Sequence, residues 1–245
     1  MNFSKIRIIL VGTSHPGNIG STARAMKTMG LSRLYLVSPL MFPDRRANEM
    51  AAGADDILES AVVTETLPEA LLGCQMIFAT SARARDIGLP GFTPNECAQK
   101  VSSLGDDTEV AIVFGREQSG LSNQELLHCH YHIHIPTNPE FSSLNLSQAV
   151  QILAYEIRMQ ALAPKAHASN KQDALATAEQ VELFYQHLES VLISIDFLKL
   201  SNPKRLQQRL RRLFNRATLE AMEINILRGI LTHIEYTIAH GTRVK

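Results

Sequence analysis

The feature that most constrains this chain is an alternation. Short apolar runs at residues 6–12, 33–37, 76–80, 110–115 and 131–136 are separated by helical patterns at 20–29, 47–51, 67–72, 94–101 and 123–127. Apolar strands separated by helices imply a parallel sheet covered on both faces. Such a sheet binds its ligands at the carboxyl ends of the strands. The expected fold is therefore α/β, with a long helical pattern over 146–162 closing the sheet domain.

Near residue 163 the pattern changes. The segment 163–172 (APKAHASNKQ) has no large apolar side chain and contains Pro164, Ser169 and Asn170, which is linker composition. Beyond it the apolar residues recur at helical spacing, with Val181, Phe184, Leu188, Val191, Leu192 and Ile195 on one helix expected over 173–198. Asn202-Pro203 starts a second helix, since proline suits a first turn. A third runs from 219 to about 240, ahead of Gly241. The expected organisation is a sheet domain over 1–163, a linker over 164–172 and a small all-helical extension over 173–245.

Net charge is zero, but the charge is unevenly placed. Residues 1–165 hold 13 basic and 16 acidic side chains, against 11 and 8 in residues 166–245. Lys199, Lys204, Arg205, Arg209, Arg211, Arg212 and Arg216 fall in one stretch without an acid. A polyanionic partner needs such a stretch, although a solvated helix face also accounts for it. The three cysteines, Cys74, Cys97 and Cys129, are odd in number and far apart. They give no disulfide framework and suit a reducing cytoplasm. No run approaches the ~20 apolar residues of a membrane span.

Three segments can carry chemistry. Gly12-Thr13-Ser14-His15-Pro16-Gly17-Asn18 follows a strand and opens a helix, where free backbone N–H groups face an anion. A Walker loop needs lysine where Asn18 stands, and the G-x-G-x-x-G dinucleotide pattern is absent. Phe114-Gly115-Arg116-Glu117-Gln118-Ser119-Gly120 stands at a strand's carboxyl end, and suits either a small-molecule pocket or a plain strand-to-helix loop. Ser142-Ser143-Leu144-Asn145-Leu146-Ser147 precedes the amphipathic run, where one polar cap residue suffices and four stand. His128, His130, His132 and His134 alternate, which would place them on one strand face. No second ligand cluster at familiar spacing accompanies them, so a polar strand face is preferred to a metal.

Taken in order, these segments resemble the three motifs of the SpoU/TrmH class of SPOUT RNA methyltransferases. The first is Asn18-Ile19-Gly20-Ser21-Thr22-Ala23-Arg24, the second Val113 to Leu121, and the third Ile135-Pro136 through Ser147. Thr80-Ser81-Ala82-Arg83 and Cys129-His130-Tyr131-His132 resemble the enzymes of this class that methylate cytidine or uridine ribose at tRNA position 32. The resemblance implies a trefoil knot in the C-terminal part of the sheet, a homodimer in which Arg24 of one subunit lies near the methyl donor held by the other, S-adenosylmethionine as methyl donor, no metal, and tRNA as partner. It places the donor pocket at Thr80, Ser81, Ala82, Gly115, Ile135, Ser142, Ser143 and Leu144. It places the catalytic arginine at Arg24, with Asn18, Glu117, Ser143 and Asn145 in support. Arginine stays protonated at working pH, so Arg24 acts either as a base in a strongly perturbed site or as a phosphate clamp that orients the ribose hydroxyl. Lys204, Arg205, Arg209, Arg211, Arg212 and Arg216 would then grip the RNA backbone. A non-catalytic RNA-binding protein on the same fold is the alternative reading.

Overall fold

The structure, a computed structural model, describes residues 1–81, 89–163, 174–198 and 204–240, and at 204 and 205 the backbone alone. A 3₁₀ turn, Phe3–Lys5, leads into β1 (Ile6–Val11), α1 (Pro16–Met29), β2 (Arg33–Val37), α2 (Arg45–Ala51), α3 (Asp55–Glu59) and β3 (Val62–Thr64). Then come α4 (Leu67–Ala70), β4 (Met76–Thr80), β5 (Gly91–Phe92), α5 (Pro94–Ser103), β6 (Val110–Phe114), α6 (Asn123–Leu126), β7 (Tyr131–Ile133) and α7 (Leu146–Leu162). Three helices follow: α8 (Ala178–Ser194), α9 (Lys204–Ala217) and α10 (Ala221–His240).

The seven strands form one sheet in the order β3-β2-β1-β6-β4-β7-β5, and every pairing is parallel. All six residues of β1 and all five of β6 are buried. Alternate residues point to opposite faces. Ile6, Ile8 and Leu10 join Val110, Ile112 and Phe114 under α1, α5 and α7, whereas Ile9, Val11, Ala111 and Val113 pack with Leu67, Leu71 and Leu126 of the other face. Burial on both sides explains why these strands read as unbroken apolar runs.

Two strands were not expected from the sequence, β3 and β5. Both are edges of the sheet, three and two residues long, and Val62 and Val63 are exposed. Short edge strands carry little apolar patterning. Helix α1 begins at Pro16 rather than Gly20, with proline in its first turn. Helix α8 begins at Ala178 rather than 173, because Thr177 and Gln180 form a capping box there. The expected linker, 164–172, lies outside the described residues.

Helix α2 lies directly on α1. A Cβ built on Gly20 would stand 1.9 Å from the Ala47 carbonyl oxygen. Gly20→Ala must push the two backbones apart, at a cost of about 1–3 kcal/mol. A melting temperature several degrees below wild type is the expected result, and an unchanged one would show that the contact is not tight.

The last three helices share their own apolar cluster, which includes Phe184, Tyr185, Val191, Ile224 and Leu231. Their anchors lie at the amino ends of β4 and β7. The Ala178 N–H donates to Cys74 O (2.8 Å), Gln75 Nε2 to Leu175 O (2.8 Å), and the Gly73 N–H to the Glu179 carboxylate (2.9 Å to Oε2). Asn215 and Thr218 reach the segment entering β7.

Candidate active site

The sheet order places the ends of β1, β6, β4 and β7 side by side, so the loops leaving them converge. Gly12 turns the chain out of β1 with φ +59°, and a Cβ there would stand 2.8 Å from Arg116 Nε. The first and second motif loops are therefore in contact. Arg116 is held in turn by two hydrogen bonds to Glu125, at 3.0 and 3.1 Å, and its backbone pairs with Gly120. Gly115 has no room for a side chain, since a Cβ would stand 2.2 Å from the Gly120 backbone.

Glu117 is the hub. Its carboxylate accepts from Ser14 N–H and Ser14 Oγ (both 3.2 Å), His15 N–H (3.3 Å) and Asn18 Nδ2 (2.9 Å). Partial burial pushes its pKa up, but the bonds from Asn18 and the backbone amides outweigh burial and hold it below the usual carboxylate value. Asn18 Oδ1 accepts from Asn145 Nδ2 at 2.9 Å. Asn145 is also the N-cap of α7, its Oδ1 accepting from Ser147 N–H (2.9 Å) and Ser147 Oγ (2.7 Å). One unbroken chain of side-chain hydrogen bonds thus joins the three motifs. Three of its members, Asn18, Glu117 and Asn145, were expected site residues. No role is expected for Ser14 or Ser147 from the sequence: Ser147 ends the third motif, and Ser14 lies in the loop just before the first.

Arg24 projects from α1 as an exposed side chain, without a hydrogen bond or ion pair to the described residues. Thr80 Oγ1 donates to Val113 O (3.0 Å) and the Ser81 N–H to Ile133 O (3.1 Å), which ties the ends of β4, β6 and β7 together. Ile135 is half-buried, while Ser142, Ser143 and Leu144 are exposed, next to Phe141 at 78% exposure. Ala82 lies outside the described residues.

The alternating histidines do not share a strand face. Strand β7 spans only Tyr131–Ile133, and His128 lies in the turn after α6. His130 is buried, accepts the Ile77 N–H through Nδ1 (3.1 Å), and is pushed by burial down to about 4. It is a neutral structural group. Among the described residues no cluster of three His, Cys, Asp or Glu is suited to a metal ion.

On α9, Arg209 and Arg216 are exposed and Arg212 is half-buried. Arg211 points inward, with two 2.8 Å hydrogen bonds to Glu182 and its guanidinium 4.3 Å from the Tyr185 ring centre. The side chains of Lys204 and Arg205 lie outside the described residues.

A parallel sheet whose motif loops meet in this order at the carboxyl ends of its strands defines the SpoU class of methylases. The chain belongs to that class: the profile of the SpoU rRNA Methylase family matches residues 5–155. Residues 179–243 match the C-terminal domain of tRNA methyltransferase TrmJ. The tRNA (cytidine/uridine-2′-O-)-methyltransferase TrmJ of Photorhabdus laumondii is 51% identical over 232 residues, covering 94% of this chain and 96% of that protein. The TrmJ of Sodalis glossinidius is 53% identical over 234 residues, covering 95% and 92%. Among solved structures, TrmJ from Z. mobilis ZM4 superposes with a TM-score of 0.83 at 35% identity, covering 94% of this chain and 98% of that one.

Proposed function

We infer that this chain transfers a methyl group from S-adenosylmethionine to a ribose 2′-hydroxyl of tRNA. The observation that carries this reading is the hydrogen-bond chain Glu117–Asn18–Asn145, which joins the three motifs. The half-identical TrmJ relatives span nearly the whole chain and support the same activity. A non-catalytic RNA-binding protein would have no need of this constellation.

The donor fits the convergent strand ends. Gly115, Ser81 and Ile135 follow three neighbouring strands, and Leu144 offers partly exposed apolar surface beside the backbone of Ser142 and Ser143. An apolar wall with backbone donors and acceptors suits an adenosine. The donor supplies an electrophilic methyl on a positive sulfur. The protein's part is to position the ribose. Glu117 already accepts four hydrogen bonds and is held ionised, which disfavours it as the base. Arg24 clamps the adjacent phosphate and orients the hydroxyl, and the proton leaves toward phosphate, Ser143 or water.

The finer assignments belong to the same proposal. The target is the ribose at position 32 of the anticodon loop. The chain works in the cytoplasm as a homodimer whose second copy covers the site. Exposed Phe141 and the apolar stripe Tyr155, Met159 and Leu162 on α7 support that cover. A trefoil knot in the C-terminal part of the sheet is consistent with β7 lying between β4 and β5. The catalytic unit spans 1–163 and the RNA-binding extension 173–245. Among the described residues no helix is long and apolar enough to cross a membrane.

Incubation of a full tRNA pool with labelled donor, followed by mapping of the modified ribose, tests the activity. Donor binding without any methylated RNA would defeat the reading. Neutralising the two exposed arginines of α9, Arg209 and Arg216, together is expected to weaken tRNA binding and flatten its salt dependence by roughly one unit of slope per lost phosphate contact. Unchanged binding in a filter assay would remove α9 from the RNA interface.

A further inference from the structure

Asn215 is the buried polar residue of α9, 5% exposed. Its amide is fully used. Nδ2 donates to Leu127 O (3.0 Å) and to Cys129 O (3.1 Å), and Oδ1 accepts from Tyr185 O–H (2.7 Å). The first two partners lie in the segment that enters β7, and the third is on α8. One side chain therefore ties the extension's basic helix both to its own bundle and to the catalytic sheet. The Tyr131 and Thr218 hydroxyls, 3.2 Å apart, add a second tie beside it.

Helical geometry gives this tie a consequence. Residues i and i+4 share a face, so Arg211 and Asn215 look the same way. That way is inward, toward Glu182 and Tyr185. Arg209, Arg212 and Arg216, spaced i, i+3 and i+7, form a separate stripe about a third of a turn away. Arg209 and Arg216 on that stripe are exposed. A helix held only by apolar contacts can roll, because such contacts are not directional. Two hydrogen bonds to fixed carbonyls cannot be kept if it does.

We propose that Asn215 is a positioning residue for the methyl transfer: it sets the roll of α9 so that the Arg209–Arg216 stripe faces the RNA backbone while Arg211 stays paired with Glu182. This rests on the tRNA reading given above. The residue acts through the stripe and touches neither the methyl donor nor the reacting ribose.

The test is steady-state methylation of tRNA by Asn215→Leu, which keeps the shape and removes all three bonds. The expected result is a KM for tRNA raised roughly tenfold, the effect of losing one well-made polar contact, with kcat and donor affinity unchanged. In an Arg209→Ala/Arg216→Ala background the same substitution is expected to add no further rise, because the two exposed arginines it aims are gone. A merely structural role predicts instead a lower kcat, or an equal KM penalty in both backgrounds, and either result overturns the proposal. If Asn215→Leu does not fold, Tyr185→Phe removes only the hydroxyl's bonds to Asn215 Oδ1 (2.7 Å) and Arg211 O (3.1 Å), leaves the two carbonyl bonds of Asn215 Nδ2 in place, and is expected to raise KM by a smaller factor; an unchanged KM in that folded variant also overturns it. Wild-type protein that methylates no tRNA would sink the functional reading itself, a separate outcome from a wild-type enzyme indifferent to Asn215.

Discussion

Arg24→Ala is expected to leave a folded protein that binds the methyl donor normally and transfers almost no methyl groups. The side chain is exposed and makes no hydrogen bond or ion pair with the described residues, so its removal breaks no contact that stabilises α1. Surface substitutions of this kind change stability by less than about 0.5 kcal/mol. Its function lies in the ternary complex, where a planar cation holds a phosphate and fixes the neighbouring hydroxyl in line with the methyl group. Loss of one well-placed electrostatic or orienting group costs roughly 10²–10³ in rate. Arg24→Lys keeps the charge but loses the two-pronged geometry, and is expected to recover only part of the rate. Single-turnover methylation with saturating donor separates the steps. A rate near wild type in Arg24→Ala would remove this residue from the reaction and leave the site without a clamp.

The sequence showed the centre of this fold better than its edges. Strands β1, β6 and β4 are buried on both faces, so burial wrote itself as unbroken apolar runs and their positions could be read to within a residue or two. Strands β3 and β5 complete the sheet through two or three backbone pairings, a feature that side chains do not encode. The site followed the same logic. Asn18, Glu117 and Asn145 stood out because they recur in motifs, and their separations of about a hundred residues in sequence close to hydrogen-bond distance in space. Ser14 and Ser147 were hidden for different reasons: Ser14 meets Glu117, 103 residues away, from a loop before the first motif, and Ser147 works locally as the partner of a helix cap. In sequence, the basic stretch Lys199 to Arg216 is one charged block. Folding divides it, since Arg211 turns inward to Glu182 while Arg209 and Arg216 stay in solvent. Only the helix roll decides which arginine goes where, and roll depends on contacts with distant residues such as Leu127 and Cys129.

Glu117→Gln should be the most damaging isosteric change in the protein. The wild-type carboxylate presents only acceptors, and four donors converge on it. A glutamine of the same shape keeps one acceptor oxygen and turns an NH₂ toward groups that are themselves donors. At least one of the Ser14 or Asn18 bonds must then break, and a hydrogen bond to a charged group contributes about 1.5–3 kcal/mol. Asn18 is the link to Asn145, so the disturbance passes from the second motif through the first to the third. A combined loss of roughly 10²-fold in kcat/KM follows from two such bonds, with the cap of α7 and the global fold intact because Asn145 still binds Ser147. The pH dependence provides the sharper check. The folded pKa of Glu117 lies below its ordinary value, so the contribution of the charged form is complete above the unfolded value of ~4.3 and fades as pH falls through the folded one. The gap between wild type and Glu117→Gln is therefore expected to be constant near neutrality and to narrow only in acid, below the ordinary carboxylate range. A gap that closed near neutral pH would mean that Glu117 exchanges its proton during the reaction, and would make it the base rather than the hub.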